Sequence, residues 1–77
     1  MQARLLGVMN VNFTNNNGEV ITGRNIFCSF ADSNVQGVRT EKFFLNSNIS
    51  LPENTKINDN LNICFNYKGR IESIEKA

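Results

Sequence analysis

The chain is expected to be a small all-β protein, a five-stranded antiparallel barrel. Three observations predict this class. Apolar residues alternate with polar ones along several segments, most clearly over Asn60-Leu61-Asn62-Ile63-Cys64-Phe65-Asn66-Tyr67. Turn-forming residues separate those segments, notably Asn15-Asn16-Asn17-Gly18 and Lys68-Gly69-Arg70. No apolar stripe of 3.6-residue period lasts three turns, so a helix of ordinary length is not expected.

Taken in order, residues 4–14 read as a first strand, with Met9, Val11 and Phe13 on one face and Asn10 and Asn12 on the other. Asn-Gly at 17–18 is a strong hairpin signal and leads into a second strand over 19–32. There Ile26, Cys28 and Phe30 share one face, and Asn25, Phe27 and Ser29 the other. Gly23 interrupts this long strand, and a glycine so placed marks a bulge or sharp bend. In a small barrel such a bend lets one strand serve two sheets. Asp32–Gly37 is a loop, and 38–46 is the third strand. Residues 47–59 are irregular around Pro52, with at most one short helical turn in 50–58. A turn at Lys56-Ile57-Asn58-Asp59 feeds the fourth strand, whose core face is Leu61, Ile63, Phe65 and Tyr67; the fifth strand is 70–76. The first choice of architecture is an OB-like barrel, the alternative an SH3-like barrel. A length of 77 residues sets one domain, 1–77.

Composition narrows the chemistry. Hydrophobic residues make up 40% and charged residues 19%, so the chain builds a core and is not a disordered tail. A net charge of +1 is far below that of a dedicated duplex-binding domain. Nucleic-acid binding therefore requires positive charge gathered on one face, or stacking on aromatic rings. There is no histidine, and Cys28 and Cys64 alone do not make a four-ligand zinc site. Both cysteines sit among apolar neighbours and read as reduced core thiols. The opening Met1–Leu6 has no long apolar run, so neither a secretory signal nor a membrane span is expected, and the expected location is cytoplasmic. The carboxylates form no recognisable acid/base pair, no phosphate-cradling glycine loop is present, and Asn15–Glu19 lacks the alternating acidic ligands of a calcium loop. The expectation is a non-enzyme without catalytic residues, metal, cofactor or small-molecule substrate.

The remaining candidates point to a binding surface. Arg24, Arg39, Lys42, Lys68 and Arg70 lie on or beside strands two, three and five. Phe27 falls on the face opposite Ile26, Cys28 and Phe30. Phe43 and Phe44 are neighbours, so one of them points away from the core. An outward Phe with basic neighbours is what single-stranded nucleic acid requires, bases stacking on the ring while cations follow the phosphates. Arg24, Phe27, Arg39, Lys42, Phe43 and Lys68 are the expected contacts, and single-stranded DNA or RNA the expected partner. The competing expectation is a protein-interaction module, a homodimer that pairs exposed strand edges.

Several segments carry a resemblance. Asp32-Ser33-Asn34-Val35-Gln36-Gly37-Val38, Glu41-Lys42-Phe43-Phe44-Leu45 and Asn58-Asp59-Asn60-Leu61-Asn62-Ile63-Cys64-Phe65-Asn66-Tyr67-Lys68-Gly69-Arg70-Ile71 resemble small uncharacterised proteins of phages and conjugative elements in low-GC Gram-positive bacteria. One departure is Asn58, where that pattern has Gly; Asn tolerates positive φ, so the turn is expected to survive. The five-strand plan is also similar to filamentous-phage single-stranded DNA-binding proteins of the gene V type. That similarity implies cooperative single-strand binding by a homodimer, and no residue is carried over by motif.

Overall fold

Every expected strand forms, and the sheet they build is open rather than closed. The computed structural model describes Met1–Ala77 and contains β1 (Gln2–Thr14), β2 (Val20–Ala31), β3 (Val38–Asn46), β4 (Asn60–Phe65) and β5 (Ile71–Lys76). All pairings are antiparallel, in the order β3-β2-β1-β4-β5. The expected all-β, five-stranded antiparallel architecture forms, and the sheet is not closed: β3 and β5 are free edges, with no ladder between them. No helix forms in 47–59; turns closed by Thr55 N–H donating to the Pro52 carbonyl (3.3 Å) and Asp59 N–H to that of Lys56 (3.1 Å) occupy it instead.

β1 starts earlier than its alternation suggests because it serves two partners. Arg4 to Thr14 run along β2, while Gln2, Ala3 and Arg4 pair with Asn62, Leu61 and Asn60 of β4. A bulge between Leu5 and Gly7 bends the strand where these pairings diverge.

One face of the sheet is the core. Ala3, Leu5, Ile26, Cys28, Phe30, Leu45, Leu61, Ile63 and Ile74 are buried on it, with Phe43, Ile49, Leu51, Phe65 and Ile71 packed around them. Nine buried residues are a small core, so each large one matters to stability. The expected core face of β4 holds for Leu61, Ile63 and Phe65. It fails at Tyr67, which is 93% exposed: β4 ends at Phe65, and Tyr67 rides the turn beyond it.

Asparagine makes two of the three hairpin turns. In Asn15–Glu19, the Asn15 side-chain oxygen accepts from the N–H groups of Asn17 (2.9 Å) and Glu19 (3.0 Å). In Asn66–Arg70, the Asn66 oxygen accepts from Lys68 (2.9 Å) and Arg70 (3.1 Å). Gly18 and Gly69, at φ of 79° and 78°, occupy the left-handed position each turn requires.

The β1–β2 hairpin outruns its neighbours. β3 stops pairing at Gly23↔Asn46, whereas β1 and β2 continue to Thr14↔Val20. The result is a two-stranded arm and an elongated shape. The Cα radius of gyration is 13.6 Å for 77 residues, against about 11.5 Å for a compact domain of that length.

Candidate functional site

Register decides which side chains share a face. Ile26, Cys28 and Phe30 point into the core, and their β3 partners are Phe43, Glu41 and Arg39. Phe43 is thus an inner residue. Its ring meets Phe30 edge-on at 5.9 Å and Phe65 at 6.0 Å. This corrects its expected place on an exposed platform. Phe44, paired with Asn25, takes the outward position.

The outward face of β1–β3 carries Phe27, opposite Lys42, and Phe44 two residues further along β3. Both rings lie over glycines. A Cβ on Gly7 would stand 3.5 Å from the Phe27 ring, and one on Gly23 only 2.6 Å from that of Phe44. The missing side chains let the rings approach the strands closely, with Phe27 37% and Phe44 45% exposed. Met9, Val11, Phe13 and Ile21 continue this face along the arm, with Met9 and Phe13 exposed. Its only charges are Lys42 and Arg4, which is paired with Ser29; no carboxylate points outward from these three strands. Neither cation has an ion-pair partner.

The other expected contacts fall elsewhere. Arg39 is an inner residue at the β3 edge, lying 5.8 Å over the Phe30 ring. It is paired with Asp32 at 3.4 Å and Glu41 at 3.6 Å, so its charge is already answered. Arg24, opposite Leu45, is also on the inner side, exposed at the base of the arm. Lys68 sits in the β4–β5 turn, its ammonium 5.7 Å over the Tyr67 ring. That turn lies beside the end of β3, since Gly69 and Arg70 share a cleft with Phe43, Phe44 and Asn46. Of the six expected contacts, Phe27 and Lys42 share the outward face, Arg24, Arg39 and Phe43 do not, and Lys68 borders its end.

Phe44, Arg4 and Tyr67 are the surface residues that sequence reasoning missed. A signal for Phe44 existed: Leu45 is the apolar residue closing β3, so parity with Leu45 places Phe43 inside and Phe44 outside. Nothing local distinguishes Tyr67 from a further core position, because its alternation with Phe65 continues unbroken.

The thiols hold no chemistry in common. Cys28 is fully buried, and desolvation raises its pKa above the ordinary 9.0. Cys64 faces outward opposite Ser73, and both are unbonded. No group of three or more acidic or cysteine side chains clusters as a metal site. No family model, curated protein or solved structure matches this chain.

Proposed function

We propose that this protein is a non-catalytic, accessory single-stranded nucleic-acid-binding protein, with Phe27 and Phe44 as stacking platforms and Lys42 and Arg4 as phosphate contacts. The observation that carries the reading is the outward face of β1–β3: two accessible rings and two unpaired cations, with no carboxylate among them. Stacking tolerates any base and works without the high net charge that duplex binding demands. The strand plan supports the same reading. A five-stranded, partly open barrel of OB type binds oligonucleotides on the face of strands two and three, between the loops that join strands one to two and four to five. Here those loops carry the arm tip at 15–19 and Tyr67-Lys68-Gly69-Arg70. The resemblance to small phage and conjugative-element proteins fits an accessory role of this kind.

Fluorescence anisotropy of labelled oligo-dT tests the assignment. Phe27→Ala and Phe44→Ala should each weaken binding by about fivefold or more, given about 1–3 kcal/mol per stacked base. Wild-type affinity in the double variant would sink the stacking face.

A second reading rests on the free edge of β3. Two copies pairing antiparallel through β3, with the dyad at Thr40, would set Arg39 of each opposite Glu41 of the other. The neighbouring registers that keep inner faces together oppose Arg39 to Arg39, Glu41 to Glu41 or Lys42 to Lys42. Under this reading, sedimentation should show a dimer that Glu41→Arg dissociates and that re-forms when Arg39→Glu chains are mixed in. A monomer at all concentrations refutes it.

A further inference from the structure

Two clefts meet at the end of β3, and together they describe a second binding surface. One, of about 340 Å³, fills the gap between the unclosed edges and is lined by Phe43, Phe44, Phe65, Ile71 and Arg70. The other, of about 470 Å³, lies at the base of the arm and is lined by Asn10, Asn12, Thr22, Arg24, Ser47 and Ser50. Asn46 and Ile49 border both, so the two clefts form one groove around the end of β3. Phe44 also belongs to the outward face, so groove and face are continuous.

The halves differ in chemistry. The first is aromatic and apolar, with one guanidinium. The second sets amides, hydroxyls and another guanidinium around the apolar residues Val11, Leu45 and Ile49. None of the side chains of Asn10, Asn12, Thr22, Arg24, Ser47 or Ser50 makes a hydrogen bond within the protein. Neither Arg24 nor Arg70 has an ion-pair partner, and no carboxylate lines either half. Unused donors around an unanswered positive charge suit a phosphodiester and its sugar; an aromatic slot suits a base.

We infer that the groove is a second nucleotide subsite: a single strand lying on the Phe27–Phe44 face turns over the end of β3, lodges a base against Phe43 and Phe65, and sets its following phosphates on Arg70 and Arg24. This rests on the single-strand reading of the outward face and extends it to the opposite side of the sheet. It gives Arg24, stranded away from Phe27 and Lys42, a place on the same path.

The test is a length series of oligo-dT, from three to about twelve nucleotides, titrated over a range of salt against wild type, Arg24→Gln and Arg70→Gln. Both arginines are exposed and unpaired, so a thermal melt should match wild type. Each lost phosphate contact should lower the slope of log K against log salt by about 0.7, as for single strands. The loss should appear with the longer oligonucleotides and vanish with the shortest, which the outward face holds alone. Binding of long oligo-dT with an unchanged slope in both variants overturns the groove and leaves the outward face standing. Absence of oligo-dT binding by wild type at low salt overturns both.

Discussion

Replacing Phe43 and Phe44 separately tests the division of the sheet into a core face and an outward face, because the two neighbours have opposite fates. Phe43 packs against the core and makes two aromatic contacts, at 5.9 Å and 6.0 Å. Truncating a buried Phe costs about 3–5 kcal/mol. Phe43 is only partly buried, so Phe43→Ala should fall near the low end, about 3 kcal/mol. A 77-residue domain has a total stability of about 4–12 kcal/mol, so this is a large share of it. Phe44, 45% exposed, loses mainly its cover over Gly23, and Phe44→Ala should cost about 1 kcal/mol or less. Urea denaturation followed by circular dichroism measures both. With a slope of about 1–1.5 kcal/mol/M for a small domain, Phe43→Ala should lower the midpoint by about 2–3 M and Phe44→Ala by under 1 M. Equal shifts, or a larger shift for Phe44→Ala, would refute the register on which the proposed surface depends.

Other perturbations follow from the same geometry. Gly23→Ala should destabilise by about 1–3 kcal/mol in the same assay, because its new Cβ meets the Leu45 carbonyl, which belongs to the backbone, as well as the Phe44 ring. Asn66→Ala removes the acceptor for two turn N–H groups and should cost about 1–2 kcal/mol by urea midpoint, with no effect on the β1–β2 turn. The Cys28 thiol stays protonated in the folded state above the pH at which it ionises when unfolded. Its contribution is therefore complete below pH 9.0 and declines as pH rises through and beyond that value. Urea midpoints should fall across that window in wild type, and less steeply in Cys28→Ala.

Strand positions were legible because alternation and turn chemistry are local. β3 was readable to the residue, since Gly37 precedes it and Asn46 closes it. The open sheet was not legible: closure depends on whether β3 and β5 meet, and no local pattern encodes a distance between edges. The candidate site was half legible. Phe27 stood out by its parity against Ile26 and Cys28, and Lys42 was one of several basic residues on the strands; only the register sets it opposite Phe27. Arg24 and Arg39 looked equivalent to Lys42 in the sequence, yet register turns both to the inner side, and Arg39 is further taken up by Asp32 and Glu41. Met9, Val11 and Phe13 alternate like a core stripe. They face outward because the bulge between Leu5 and Gly7 reverses the parity of β1 beyond it.

The central claim is that a single nucleic-acid strand lies on the outward face of β1–β3. Titration of labelled oligo-dT at two salt concentrations tests it most directly. The predicted result is saturable binding at low salt that weakens as salt rises, with a slope of about 0.7 for each phosphate neutralised. Undetectable binding at low salt, or an affinity indifferent to salt, contradicts it.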